Sequence, residues 1–300
     1  MKIQSVLILT AVITIVVSLL CVSLFPSVQD FMNYNTTWNG IRRSLIELNA
    51  STIDSLQGLP TLASKNVLIT IPYMQYSNTD FEELKTFVDS GGILMVMDDY
   101  GYGNSILGYL NIDCRFSGVA LLDPLFCYQN QWFPKITDYS SSIGKDVQLV
   151  VLNHATALLN TENTEVVAWS SSNSYLDKNG NGKLDKGEAQ GPLPVAARLH
   201  FGGGMIILVS DPSIIINSML GRDNNLLFVS QLLGPEAQTE HVMIDTSHLV
   251  KSPMDITKAK LDAIKRVLSQ PYILSGIVFL IFIFTSIFVL KTGGVIGRKS

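Results

Sequence analysis

Two long apolar segments near the ends of the chain constrain its fold more than any other feature. Residues 3–29 and 267–290 contain no charged side chain. Within them, residues 5–25 and 272–290 each approach the roughly 20 apolar residues that cross a bilayer as a helix. We therefore expect two transmembrane helices in contact with the lipid bilayer, which excludes a soluble cytosolic protein. The region between them is long enough for a substantial hydrophobic core.

Each apolar segment has an alternative interpretation. Residues 5–25 exceed the apolar core of a secretory signal peptide, and no small-residue cleavage site follows them, so we interpret them as an uncleaved anchor, with cleavage as the alternative. Residues 272–290 could form a buried core helix, but they have no polar face. Tyr272 and Lys291 flank this second segment as interfacial residues flank a membrane span.

The placement of basic residues predicts the orientation of the chain. Four of the 21 basic residues lie in the tails, residues 1–4 and 291–300, which contain no acid: Lys2, Lys291, Arg298 and Lys299. The central region then carries 17 basic and 25 acidic residues, a net charge of −8. The positive-inside rule puts both tails in the cytoplasm and the centre on the extracytoplasmic side of a cell membrane. An acidic central region also argues against nucleic acid as a partner.

The central region alternates strand and helix patterns, so we expect an α/β domain over residues 26–234. A final strand and a juxtamembrane amphipathic helix follow over residues 235–271. Continuous apolar runs indicate buried strands. Asn78 or Thr79 is expected to cap a helix that the glycines at 91–92 end. The predicted strands cover 66–72, 93–97, 148–152, 165–169, 194–200, 205–210 and 241–244. The predicted helices cover 40–49, 79–88, 214–220, 224–233 and 255–268.

Several segments in this pattern resemble a known family. They are NVLITIPYMQYSNTDFEELKTFVDSGGILMVMDDYGYGN, GPLPVAARLHFGGGMIILVSDPSIIINSML and DNNLLFVSQLLG. Over residues 35–234 the chain resembles domain of unknown function 4350, a family of envelope and membrane-anchored proteins. The resemblance implies a flavodoxin-like or class I glutamine amidotransferase-like fold, with a mostly parallel sheet and helices on both faces. It also implies a membrane or envelope protein as partner. The insertion at 173–190 departs from the family pattern.

That insertion contains the most specific motif in the chain, DKNGNGKLDKGE at residues 177–188. It matches the twelve-residue calcium loop of EF-hands, with oxygen donors at each ligand position and Gly182 at the sharp turn. The residues flanking it read as strands, so we expect an EF-hand-like loop inserted in the sheet domain rather than a helix–loop–helix sensor. A polar surface loop without a metal is the alternative. The predicted Ca²⁺ ligands are Asp177, Asn179, Asn181, Lys183 through its carbonyl, Asp185 and Glu188.

Three carboxylates follow predicted strands: Asp98 and Asp99 after one, and Asp211 after another. Ligands of open parallel sheets bind beyond the carboxyl ends of the strands, so these acids mark a possible ligand crevice. They could hold a metal or act as acid and base. The alternative is that they cap helices and turns.

The sequence lacks the catalytic signature of the fold that it resembles. No Cys or Ser occupies the turn after residues 93–97, where a nucleophile is expected. Cys114 and Cys127 lie elsewhere, and either a disulfide or two free thiols fits them. We therefore expect a non-catalytic, calcium-stabilised binding or assembly protein, such as an accessory of a transporter or envelope complex. A membrane-anchored hydrolase that uses Asp98, Asp99 and Asp211, and a solute-binding module, are the alternatives.

Overall fold

The computed structural model describes residues 3–59, 66–234 and 241–296. The chain divides into two compact units, one over Pro26–Val250 and the other over Met1–Phe25 with Lys251–Ser300. Lys2, Arg298 and Lys299, which contribute to the predicted orientation, lie outside the described residues.

The described helices and strands alternate only in part, because ten strands follow one another between α4 and the 3-10 helix. The helices are α1 Ile3–Leu24, α2 Arg42–Glu47, α3 Asn78–Asp89, α4 Gly103–Tyr109, α5 Asn225–Leu233, α6 Pro253–Leu268 and α7 Pro271–Ile296, with a 3-10 helix at Pro212–Ile215. The strands are β1 Ala50–Ile53, β2 Val67–Thr70, β3 Ile93–Met97, β4 Arg115–Phe116, β5 Ala120–Leu122, β6 Lys135–Ile136, β7 Asp138–Tyr139, β8 Val150–Val151, β9 Leu158–Leu159, β10 Glu165–Trp169, β11 Tyr175–Asp177, β12 Pro194–Phe201, β13 Gly204–Val209 and β14 Val242–Asp245.

A central sheet of eight described strands, in the order β1-β14-β2-β3-β13-β12-β10-β7, organises the larger unit. The strands from β1 to β13 in this order are parallel, and the last three join by antiparallel pairing. The protein is thus a mixed α/β fold with a mostly parallel sheet, as predicted. The parallel arrangement brings the carboxyl ends of β2, β3, β13 and β14 to one edge of the sheet.

The central strands are apolar throughout because both faces of the sheet are buried. Alternate residues of β3 enter different cores: Met95 and Met97 pack on one side, and Leu94 and Val96 on the other. Residues of α5 belong to the first core, whereas residues of α3 and α4 belong to the second. Continuous apolar strands are the expected consequence of helices covering both faces.

Several local features differ from the sequence-based expectations. Helix α4 and strand β1 are absent from the predicted elements, and the strand predicted at 148–152 is only Val150–Val151. Helix α3 is capped by Ser77, not Asn78 or Thr79, because Ser77 and Asp80 form a reciprocal capping box. The predicted helix at 214–220 is only the 3-10 turn Pro212–Ile215, followed by turns. Strand β14 lies inside the sheet between β1 and β2, so the compact unit extends to Val250 instead of closing at residue 234. Periodicity cannot reveal this last feature, because strand order depends on long-range pairing.

The smaller unit contains α1, α6 and α7. Among the described residues, one helix, Ile3–Leu24, is long and apolar enough to cross a membrane, which fits either an anchor or a signal sequence. Helix α6 begins with a capping box between Ser252 and Asp255. Its Lys258 ammonium donates to the Val22 carbonyl at 2.5 Å and so binds a free carbonyl near the end of α1.

Candidate functional site

The three acids predicted to share a strand-end site follow the neighbouring strands β3 and β13, and both oxygens of Asp98 and of Asp211 accept backbone N–H groups. The Asp98 oxygens accept from the N–H groups of Gly101 and Gly103, each at 2.7 Å. A side chain at Gly103 would collide with Asp98, so the close approach requires glycine there. Burial raises the pKa of Asp98 to about 6, although these two N–H groups oppose the shift. Asp98 therefore organises the turn that leads into α4.

Asp211 has a similar structural role after β13. Its carboxylate is fully buried and accepts from the N–H groups of Asn153 and Ser213, both at 2.7 Å. Burial raises the pKa of Asp211 well above its usual value. This residue caps the 3-10 turn and ties the segment after β8 to the end of β13, in agreement with the capping alternative for this acid.

Asp99 is the carboxylate of the three that faces open space. The Tyr73 hydroxyl lies 3.0 and 3.1 Å from its two oxygens, and the Tyr100 N–H donates to one of them at 2.6 Å. Burial raises the pKa of Asp99, and Tyr73 partly offsets this by hydrogen bonding. Asp99 is therefore held in one orientation beside a cavity.

That cavity, which we call the strand-end cavity, has a volume of about 490 Å³. This size falls within the range of small-molecule sites, which are usually mostly apolar with a few convergent polar groups. It lies beyond the ends of β2, β3 and β13, where Tyr73, Asp99 and Ser213 line it. The other lining residues include Asp30, Trp38, Tyr128, Phe133, His154 and Arg222.

Two of these residues had no motif in the sequence. His154 has a positive φ of 58°, and its ring stacks on Trp132 with centroids 4.7 Å apart. Although the residue is exposed, desolvation of its ring lowers the pKa of His154, and Asp99 opposes that shift. Arg222 lies 4.3 Å from the centre of the Tyr128 ring. No sequence signal marked these residues, because each reaches the cavity from a turn.

The predicted calcium loop starts at the end of β11 and folds around a hydrogen-bonded centre. Asp177 is 4% exposed and accepts from the N–H groups of Asn181 and Gly182. The side-chain amides of Asn179 and Asn181 donate to one Asp185 oxygen at 2.7 and 2.6 Å. These hydrogen bonds lower the pKa of Asp185. Side chains from loop positions 3, 5 and 9 thus meet at one point.

Other details of the loop also match the motif. Gly182 has φ of 72°, which is the left-handed conformation that the sharp turn requires. Glu188 closes the loop by accepting from the N–H groups of Lys178 and Asp185 at 2.7 and 2.9 Å. The residues on both sides of the loop are extended: Tyr175 before it lies in β11 and forms an antiparallel bridge with Gln190 after it. Among the described residues, no group of three His, Cys, Asp or Glu side chains forms a metal site.

The cysteines and the second polar cluster fit structural roles. Cys114 and Cys127 are free thiols, and burial raises the pKa of Cys114 to about 11, which disfavours the reactive thiolate.

At the ends of β14 and β2, His248 binds Asp245 at 2.8 Å and stacks on Tyr76 with ring centroids 3.6 Å apart. The sequence contained no spacing signal for this cluster, which ties adjacent strands.

Comparison with known proteins identifies a family and no activity. The family model described as "Domain of unknown function (DUF4350)" matches residues 33–233. No curated protein matches the chain. Similar solved structures include the mmIFT52 N-terminal domain, at 14% identity and a TM-score of 0.47 over 62% of this chain and 81% of that one. A β-galactosidase from Bacillus circulans sp. alkalophilus has 14% identity and a TM-score of 0.32, over 53% of this chain and 22% of the enzyme. The cytoplasmic protein STM3548 from Salmonella typhimurium has 10% identity and a TM-score of 0.35, over 64% of this chain and 76% of that one.

Proposed function

The chain belongs to the DUF4350 family, whose description names no activity, and on that premise we propose a membrane-anchored, non-catalytic binding domain that is stabilised by calcium. The observation that carries the proposal is the meeting of Asn179, Asn181 and Asp185 inside a loop of EF-hand spacing. We further propose that the sheet is of the glutamine amidotransferase-like type.

The oxygen donors of the loop fit calcium. Ca²⁺ takes six to eight oxygen ligands in a flexible geometry, and the loop offers carboxylates, amide oxygens and the Lys183 carbonyl. The Asn179 and Asn181 amides now direct nitrogen toward Asp185. A half-turn of each amide would present oxygen to a cation at the same place, and the two orientations differ only in the assignment of O and N. Glu188 is the residue that would close the site bidentately.

A non-catalytic role is supported by how the candidate catalytic groups are used. The carboxylates of Asp98 and Asp211 accept backbone N–H groups in buried turns. Cys114 is buried with a raised pKa, so its thiolate is disfavoured. The hydrolase alternative then retains only Asp99, together with His154 at the cavity rim. A solute-binding role for the cavity agrees with the same observations.

The proposed setting is a cell membrane with the larger unit on the extracytoplasmic side. Helices α1 and α7 would both span the bilayer, with the two tails in the cytoplasm. The uncharged segments at both ends and the net negative centre support this arrangement. A membrane or envelope protein is the proposed partner, by analogy with the family resemblance.

Thermal unfolding of the full chain in detergent, with chelator and with millimolar Ca²⁺, tests the central claim. Calcium should raise the melting temperature, and Mg²⁺ should do so less because it requires tighter octahedral geometry. Identical melting curves in chelator and calcium would contradict the proposal.

A further inference from the structure

Arg222 is a cation without an acidic partner at the strand-end cavity. Its Nε is buried and has no hydrogen-bond partner. Its guanidinium packs against the Tyr128 ring and forms no ion pair with any carboxylate among the described residues. A buried donor without a partner is costly to stability, so a bound anion would relieve the cost. A stacked, planar guanidinium is well suited to bind a carboxylate through two parallel hydrogen bonds.

The same cavity contains negative charge that is not paired with Arg222. Asp99 lies in its wall with both oxygens beside Tyr73, and Asp30, an exposed residue, also lines it and accepts from Asn39. Aromatic rings complete the lining, among them Phe31 and Tyr73, which pack with centroids 5.5 Å apart. Carboxylates and aromatic faces together attract an ammonium group.

We propose that the strand-end cavity binds a small zwitterion, of which a free amino acid is the simplest case, with Arg222 on its carboxylate and Asp99 facing its ammonium group. A neutral solute would leave the charges of Arg222 and Asp99 without a partner of opposite sign. A simple anion would pair with Arg222 but would leave Asp99 without a cation. The volume of about 490 Å³ accommodates a molecule of this size. The inference rests on the non-catalytic binding role proposed above.

Isothermal titration calorimetry on the full chain in detergent tests the proposal. The probes are the twenty common amino acids taken singly, with D-glucose, D-galacturonate and inorganic phosphate for the other ligand classes. At least one amino acid should bind, and its N-acetyl and carboxamide derivatives should each bind at least about tenfold more weakly, since each lacks one charge.

Two variants assign the contact to Arg222. Arg222→Gln should weaken binding of the best amino acid about tenfold or more, and Arg222→Lys, which keeps the charge but not the fork of donors, should give an intermediate loss. The matched control is Arg198→Gln, because Arg198 is bound to Glu165 at 2.9 Å on β12 and lies outside this cavity. It should bind as the wild type does. Melting curves confirm that each variant folds.

The proposal is overturned if no amino acid binds at a concentration of about 10 mM, which is roughly ten times a millimolar Kd. It is also overturned if the derivatives bind as well as the parent, if Arg222→Gln has no effect in a folded protein, or if only a sugar or phosphate binds. The failure of this inference can be distinguished from the failure of the proposed function. The calcium response is measured by thermal unfolding without amino acid, whereas amino-acid binding is measured by calorimetry. If calcium does not raise the melting temperature but an amino acid binds, only the proposal of calcium stabilisation is contradicted. Turnover of a bound probe would count against the non-catalytic role.

Discussion

The Tyr73 hydroxyl lies 3.0 and 3.1 Å from the two oxygens of Asp99, so one donor sits between two acceptors. A hydroxyl donates one hydrogen bond at a time, and the Tyr100 N–H already donates to Asp99 Oδ1 at 2.6 Å. One Asp99 oxygen therefore keeps acceptor capacity on the side of the cavity. This arrangement distinguishes Asp99 from Asp98 and Asp211, whose carboxylates hold backbone turns. The strand-end acids are therefore two structural caps and one residue available to a ligand.

Calcium should stabilise the folded chain through the loop at 177–188. Ten times Kd of Ca²⁺ contributes RT ln(1 + [L]/Kd), about 1.4 kcal/mol, if the unfolded chain does not bind it. The melting temperature should then rise by about 3–6 °C for a unit of this size. Scanning calorimetry with and without chelator measures the shift. Glu188→Gln should remove most of it, because the bidentate carboxylate is lost, and Lys186→Gln in the same loop should keep it.

The protein should not hydrolyse amide or ester substrates. The full chain should give no amidase or esterase turnover, since burial disfavours the Cys114 thiolate and the carboxylates of Asp98 and Asp211 accept backbone N–H groups in turns. Replacing Cys114 and Cys127 together by Ser should leave ligand binding unchanged. A measurable rate that disappears in Asp99→Asn, Asp98→Asn or Asp211→Asn, in a variant whose melting curve shows that it folds, would establish the hydrolase alternative.

Stability should fall as the pH rises from about 4 to 6, because of Asp98. Its folded pKa of about 6 lies above the ordinary 3.8, so the folded state binds a proton more tightly within that window. The stabilisation is fully present below about pH 4 and is lost as the pH passes the folded pKa, a change on the order of 2–3 kcal/mol. Melting temperatures across pH 4 to 7 should fall less steeply in Asp98→Asn. The control Asp113→Asn, at an exposed position, should show the same change of melting temperature with pH as the wild type. If Asp98→Asn also shows that change, Asp98 is not its cause.

Asn225 should be a large contributor to stability. Its buried amide accepts from the Val151 N–H at 2.9 Å and donates to the carbonyls of Val151 and Met219 at 2.9 and 3.0 Å. Asn225→Ala leaves these groups without partners and should cost about 2–4 kcal/mol of unfolding free energy, measured by urea denaturation. Asn163→Ala, at an exposed position, should cost under about 0.5 kcal/mol. Similar losses in the two variants would show that the buried amide is not important.

The central domain should be accessible from outside the cell. A cysteine at the exposed Ser142 position, in a chain without Cys21, Cys114 and Cys127, should react with a membrane-impermeant maleimide on intact cells. A tag after the last residue should stay protected until the membrane is opened. The reverse labelling pattern would overturn both the orientation and the extracytoplasmic calcium site.

Much of the fold could be predicted from local sequence. The apolar run at 93–97 matches β3 at both ends, because burial on both faces demands apolar side chains within the strand itself. The pattern at 165–169 matches β10, which is only partly buried. The glycine at 91 ends α3 as expected, with a φ of 97°. The spacing of the calcium loop is likewise local, and Gly182 adopts the positive φ that its motif requires.

Only the tertiary structure determines the arrangements that join distant parts of the chain. Strand β14 enters the sheet between β1 and β2, and no local pattern specifies its neighbours. Asp98 and Asp99 are adjacent in sequence, yet one holds a turn and the other faces a cavity, because successive side chains point in different directions. Arg222 and Tyr128 are far apart in the chain and meet only because turns converge beyond the strand ends. Local sequence determines the elements through burial and capping, whereas long-range packing determines which polar groups remain without a partner.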